Sequence, residues 1–383
     1  MMMIELYGGF GEKGRTSVGI HSDRRLLFDV GIKVGAKGRD YYPAIAERDV
    51  ATLDAVFISH AHEDHIGGLY WLRACGFQGT FYMTRETHDD AEAMLNQYAD
   101  PSHRRAHPLK DARIKLFTPG QSIRMGESEI LSGRSGHVAG GVWFSVTTPS
   151  KRVVYCADVV PNSEVFVMDA LPRCDLVILD ASYGGDPVSA GDRIGQIGDF
   201  IEAHRGKLVL PVPLSGKPLE LMAILPGSFA IHHDMRRSLI AQIGVPDAVS
   251  AQTARSLRRK LERALDWREG SALPDCPLMT YDGMGSAGPS IGALRQAVDE
   301  QAAVLLTGHV PENTPAQALL EQGRATWIRL PTHPTRSENL ALWQAAGKPM
   351  ALGHSCTSEK LEELKPYLTT LVTTAMSGSQ LSI

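Results

Sequence analysis

The 383-residue sequence contains no run of 18 apolar residues, so no part of it is expected to cross a membrane as a helix. It lacks an excess of either charge: 39 Lys and Arg stand against 43 Asp and Glu, a net charge of −4. That removes the simplest argument for indiscriminate nucleic-acid binding and leaves room only for a local basic groove. Cysteine is scarce. Cys75, Cys156, Cys174, Cys276 and Cys356 are odd in number and form no C-x-x-C pair. This excludes a disulfide scaffold and makes a reducing cytoplasm the expected location. There is no repeat and no low-complexity linker. The opening MMMIELYGGFGEKG carries Glu5 and glycines where a secretion signal needs an apolar run, so none is expected. What is present, 43% hydrophobic against 21% charged residues, excludes disorder, and the length suits about two domains.

Short apolar runs separated by turn residues recur in the first half, at 17–20, 25–30, 55–59, 80–83, 142–147 and 151–157. They read as half-buried and fully buried strands. Ser22-Asp23 supplies a hairpin turn between the first two. A helix is expected over 86–98. From about residue 186 the texture changes, with helices over 192–204, 218–225 and 246–269 and a buried strand over 207–211. The last helix carries ARSLRRKLERALDW, with Leu257, Leu261 and Leu265 on an apolar stripe and Arg255, Arg258, Arg259, Lys260 and Arg263 elsewhere. That charge run suits either a solvated face or a nucleic-acid contact. The fold class is α/β, with a second α/β unit between 186 and about 331.

The strongest chemical signal is SHAHEDHIGG at 59–68, directly after the apolar strand AVFIS. His60, His62, Asp64 and His65 gather three imidazoles and a carboxylate within six residues. Such a cluster is costly unless a cation organises it, and this donor set suits Zn²⁺ best, with Mn²⁺ or Fe next. A turn that directs His60 and His62 to one ion and Asp64 and His65 to a second explains the spacing. GGFGEKG at 8–14 precedes no helix, so it reads as a close-packed loop near this centre and not as a phosphate-binding fingerprint. His103, His107, His232 and His233 are expected at the surface and His309 in a loop.

This block resembles the metallo-β-lactamase superfamily. The resemblance implies an αββα sandwich, with Asp29 of LLFDVGI supporting the metal loop from behind. It also implies His137 of SGRSGHVAGG, at the start of a strand, as a further ligand, and Asp158 of RVVYCADVV as a bridging one. Further blocks resemble the β-CASP family of nucleases, which includes ribonuclease J and the endonuclease of pre-mRNA 3′-cleavage. DASYG places Asp180 at the family's acidic motif, and PVPLSGKPLELM places Lys217 where Arg is usual. Met284-Gly285 with Gly288-Pro289, and TGHVPENT, match two more blocks. His333 of PTHPTRSENL and His354 of LGHSCTSEKL, 21 residues apart, take the places of the two closing histidines. HP after His333 and HS after His354 depart from the usual letters, which bears on phosphate contacts.

The resemblance covers residues 5 to 367 and implies domain boundaries. Residues 1–184 and 332–383 form a metallo-β-lactamase domain, and 185–331 form a β-CASP cap, with substrate entering between the two. Two Zn²⁺ per chain are expected, Mn²⁺ being an alternative. His60, His62 and His137 would hold the first, Asp64, His65 and His354 the second, and Asp158 would bridge. The implied activity is hydrolysis of phosphodiesters in nucleic acid by attack of a hydroxide shared between the ions. Asp64, Asp180 and His333 are the catalytic set, with the Asp180–His333 pair as general acid. Lys217, Ser337 and His309 are the substrate-binding candidates. In this family a closing His goes with RNA-cleaving members, so His354 favours RNA over DNA. A DNA-repair or processing exonuclease of the same family, a small-molecule ester or phosphodiester hydrolase, and a non-catalytic scaffold are the competing readings. Relatives often form homodimers, but no residue here marks an interface.

Overall fold

The structure is a computed structural model and describes residues 2–383. The chain divides into two compact units: one runs up to Asn162 and includes Met168–Pro187 and His333–Ile383, and the other holds Ser163–Val167 and Val188–Thr332. Ser163–Val167 lies outside the 185–331 range expected from the sequence. It joins the second unit because Phe166 bridges to Val249 and the Val167 N–H donates to the Ala248 carbonyl.

The first unit contains two sheets. The seven-stranded sheet runs Gln380–Ser382, Met3–Gly8, Ser17–His21, Arg25–Phe28, Ala55–Phe57, Thr80–Thr84, Ile114–Phe117. The six-stranded sheet runs Met350–His354, Leu176–Asp180, Arg152–Tyr155, Val142–Thr147, Ser128–Arg134, Ser122–Met125. Their facing sides share one core in which Phe28, Phe57 and Leu6 pack with Phe144, Tyr155 and Ile178. Helices cover both outer sides. Leu69, Leu72, Met94 and Leu95 lie against Val56 and Phe81, while Leu342, Trp343, Leu361 and Leu368 lie against Val154, Val177 and Leu179. These four layers make an αββα sandwich, and residues on alternate strand positions are buried on both faces because both faces are covered. The central strands therefore read as near-continuous apolar runs.

The second unit is a separate α/β fold. Its six-stranded sheet runs Leu265–Trp267, Ala230–His232, Pro277–Thr280, Leu208–Pro211, Ala303–Leu306, Thr326–Trp327, with every recorded pairing parallel. Helix Ala190–Ala203 precedes the first strand, and Lys217–Ile224, Met235–Ile243, Ala251–Arg263, Ser290–Asp299 and Pro315–Glu321 lie in the crossovers. The blocks PVPLSGKP, TYDGMGSAGP and LTGHVPENTP all follow the carboxyl ends of parallel strands, the usual edge for ligand contacts in such sheets.

Three expectations need correction. The helix expected over 246–269 spans only Ala251–Arg263; Leu265–Trp267 is an edge strand. The apolar spacing misled because Leu265, 55% exposed, belongs to no stripe. His137 sits in the loop 135–141, five residues ahead of the strand that begins at Val142. His232 is buried at the end of its strand against Trp267 and Tyr281 and is not a surface residue.

Candidate metal centre

The strand Ala55–Phe57 leaves the sheet as an extended stretch, and a single helical turn, Glu63–Ile66, follows with His62 as its N-cap. The turn directs His62, Asp64 and His65 back over the sheet end. It is clamped from below: the Val30 N–H donates to the His65 carbonyl at 2.8 Å and the Thr16 N–H to the Asp64 carbonyl at 2.9 Å. Gly31 is required for this approach, since a Cβ there would lie 1.8 Å from the Asp64 carbonyl oxygen.

Asp29, buried at φ +61°, anchors the loop through both carboxylate oxygens. Oδ1 accepts from the Ser59 N–H at 2.7 Å. Oδ2 accepts from the Ser59 and Tyr155 hydroxyls, each at 2.7 Å, and lies 2.7 Å from His65 Nδ1. A carboxylate on one imidazole nitrogen fixes the ring and leaves the other nitrogen as the donor toward a cation. Ser59 Oγ, 3.0 Å from His60 Nδ1, does the same for that ring. Neither Ser59 nor Tyr155 was singled out from the sequence. Ser59 carried a signal in its place before His60; Tyr155, inside an apolar strand, carried none.

The ring nitrogens so oriented converge. His62 Nδ1 lies 3.1 Å from His60 Nε2 and 3.2 Å from His137 Nε2. Asp158 Oδ2 stands 3.8 Å from His60 Nε2 and 3.6 Å from His137 Nε2. Around a tetrahedral zinc with bonds of about 2.0–2.1 Å, neighbouring ligand nitrogens lie about 3.3–3.4 Å apart, so this donor set fits one ion with little adjustment. The other carboxylate oxygen, Asp158 Oδ1, faces His65 Nε2 at 3.2 Å, and both atoms are buried without a hydrogen-bond partner among the described residues. Two buried polar atoms without hydrogen-bond partners at one point are costly, and a cation beside them would satisfy both. Asp64 Oδ2 lies 3.9 Å from the same His65 nitrogen. His60, His62, His137 and Asp158 bring ligand atoms within 4.8 Å of one another, and so do Asp158, Asp180 and His333.

His354 is fully buried beside the centre, its ring 6.4 Å from that of His65. Its Nδ1 pairs with Ser355 Oγ at 2.8 Å and its Nε2 with the Ala157 carbonyl at 3.1 Å. It braces the turn at Ala157, φ +49°, that delivers Asp158. The glycine-rich segment 8–14 packs here: Phe10–Gly11 pairs with Cys356–Thr357, and Phe10 meets the His354 ring edge-on. Asp180, buried at the end of its strand, accepts from His333 Nδ1 at 2.8 Å and from the Ser182 N–H at 3.0 Å. Its carbonyl is held by the Asn339 side chain at 2.9 Å. The Thr335–Glu338 capping box fixes the start of the helix Arg336–Ala345 just after His333. Ser337 lies in that first turn, 3.2 Å from Thr335 Oγ1. In the second unit, Lys217 opens the helix Lys217–Ile224, and His309 is exposed in the loop after Ala303–Leu306.

The charges are arranged as a cation site requires. Burial pushes the His60 and His137 rings well below the usual imidazole range, keeping them neutral donors. Burial opposes charge on Asp158 too, but His65, His333 and His137 outweigh it and hold the carboxyl well below its ordinary range. Asp180 is lowered against its burial by His333.

Residues 24–205 match the family model described as the beta-lactamase superfamily domain. The transcription termination factor FttA of Methanothermobacter thermautotrophicus is 26% identical over 243 residues, 57% of this chain and 38% of that protein. The endoribonuclease YSH1 of Kluyveromyces lactis is 24% identical over 252 residues, 59% of this chain and 33% of that protein. The chain thus matches only about a third of the length of these relatives. A crystal structure of a protein of unknown function from Enterococcus faecalis V583 superposes with a TM-score of 0.57 at 14% identity, over 99% of both chains, which is a likeness of fold. The match over 24–205, the αββα sandwich and the histidines gathered at its sheet ends together identify a metallo-β-lactamase domain within this chain.

Proposed function

We propose that the chain is a two-zinc nuclease of the β-CASP type that hydrolyses phosphodiester bonds in nucleic acid, RNA in preference to DNA, with the second unit as its β-CASP domain. The observation that carries this is the convergence of His60, His62, His137 and His65 on the two oxygens of Asp158, with a His–carboxylate pair alongside. His60, His62 and His137 would hold one ion, Asp64 and His65 a second, and Asp158 would serve both. His354 would join the second ion by exchanging its bond to the Ala157 carbonyl. Bound divalent ions would polarise a phosphoryl oxygen and acidify water.

The remaining steps belong to the chain. Asp29 holds His65, and through Ser59 it holds His60, so the site is organised before substrate arrives. Asp180 accepts from His333 Nδ1 and so orients the ring with Nε2 as the atom that exchanges a proton. Such a ring can hand its Nε2 proton to a departing 3′-oxygen. Ser337, in the helical turn after His333, would contact a substrate phosphate, and Lys217 and His309 are proposed as phosphate contacts from their sequence blocks alone. Support for nucleic acid as substrate comes from the relatives, one of them an endoribonuclease by name.

The test is a cleavage assay with zinc or manganese on 5′-labelled single-stranded RNA and DNA of identical sequence, with a chelated control. Chelator-sensitive cutting of RNA is the expected result. Cutting of DNA alone overturns the RNA preference, and no cutting of either polymer overturns the nuclease reading in favour of a small-molecule hydrolase.

A further inference from the structure

The helix Ala251–Arg263 carries five cations against one carboxylate in a chain whose net charge is negative. Ala254, Leu257 and Leu261 are its buried face. At 100° per residue, Arg255, Arg259 and Arg263 fall within one stripe opposite that face, about 12 Å long at 1.5 Å per residue, and Arg258 flanks it on the side of Ala254. All four are exposed; Gln252 lies within the stripe, Ser256 borders it, and Glu262 falls between Arg258 and Arg255 around the helix.

Two observations separate this stripe from an ordinary solvated face. Solvated helices usually set opposite charges at i, i+4; here one such pair, Arg258–Glu262, stands against two like-charge pairs, Arg255–Arg259 and Arg259–Arg263, which cost a few tenths of a kcal/mol each. The single lysine is used differently: Lys260 Nζ donates to the carbonyls of Met222, Ala223 and Leu225, closing the end of the neighbouring helix. Arg236 of the adjacent helix is likewise occupied, bonding Asp266 and the carbonyls of Leu261 and Ala264. The four arginines make no hydrogen bond or ion pair among the described residues. The fold consumes the cations it needs and leaves these four together.

We infer that this arginine stripe is a docking surface for the phosphate backbone of nucleic acid, independent of the metal centre. The nature of the polyanion rests on the nuclease reading above; the test does not. A row of guanidiniums on one helix face matches a linear array of phosphates, and neutralising them releases counterions without reading sequence.

The experiment is fluorescence anisotropy of a labelled single-stranded RNA on the full chain in chelator, so that cleavage plays no part, across a salt series. The variants are Arg255/Arg258/Arg259/Arg263→Gln and the same four →Lys. At about 0.7 counterions per phosphate contact, the Gln variant should lose about 3 units of salt slope. Wild-type affinity should therefore fall about 50-fold more than that of the variant between about 50 and 200 mM salt. The Lys variant should keep the slope. Both should retain turnover of a small phosphodiester, showing that fold and centre survive. An unchanged slope in the Gln variant overturns the inference, as does equal loss in the Gln and Lys variants. So does loss of binding to phosphatidylserine vesicles with RNA binding intact. If cleavage of all polymers is absent while the slope behaves as expected, the nuclease reading fails and the docking surface stands.

Discussion

At the residue scale the account turns on Asp29, which touches no proposed substrate and organises His65, Ser59 and Tyr155 at once. Asp29→Asn keeps the size but can no longer accept from all of these donors. Metal affinity, measured by chelator competition, should fall about 10–100-fold, as is usual when such a partner is lost. His333→Ala should instead slow the chemical step by about 10²–10⁴-fold, the range of general acid catalysis, while zinc content stays at the wild-type value. Zinc lost together with activity would make His333 a ligand. That His60, His62, Asp64 and His65 would lie close together was legible because they are packed into one block, and a cluster so costly has few explanations. The Asp29 network was half legible: the aspartate stands out after its strand, but Tyr155 lies 126 residues away in an apolar run and becomes its partner only when the two sheets close on each other.

At the element scale, strand ends deliver the site. Asp29, His60, Asp158, Asp180 and His354 all lie at or just beyond the ends of core strands. The rigid sheets fix these side chains and the loops add His137 and His333. The apolar runs located most of these strands, and both Val142–Thr147 and Leu208–Pro211 lie within runs read from the sequence. Boundaries failed where burial and periodicity disagree, as at Leu265, whose exposure on an edge strand no apolar pattern foretells. Contacts between elements were not legible at all: nothing in the sequence says that Gly31 must pass under the Asp64 carbonyl. Gly31→Ala should therefore cost about 1–3 kcal/mol of strain, and at about 2–4 °C per kcal/mol the melting temperature should drop visibly. Zinc binding should weaken with it. A variant with unchanged melting and metal affinity would show that the loop has room to move away.

At the scale of the molecule, the division into two units separates chemistry from a second α/β fold with its own ionisable core. There Glu220 is raised to about 7 by burial, with Glu164 adding to the effect, against the hydrogen bond from Ser163. A raised carboxyl binds its proton more readily folded than unfolded, so between pH 4.5 and about 7 the folded state holds more protons. Stability from this group is full at the acid end and declines as pH rises through that window, then levels. Thermal melts from pH 5 to 8 should show this decline, and Glu220→Gln should flatten it; an unchanged profile in that variant would assign the decline to other groups. The change of texture near residue 186 falls close to Pro187, the last residue of a first-unit segment, whereas Ser163–Val167 carries no such signal, since its pairing with Ala248 and Val249 is tertiary. The central claim is that Asp158 joins two metal positions into one hydrolytic centre. It is tested most directly by measuring metal content and RNA cleavage on the same samples of wild type and Asp158→Asn, before and after chelation. The account predicts that cleavage follows metal content, with the variant poor in both. Wild-type cleavage from a chain stripped of metal, or full metal loading and cleavage in Asp158→Asn, would contradict it.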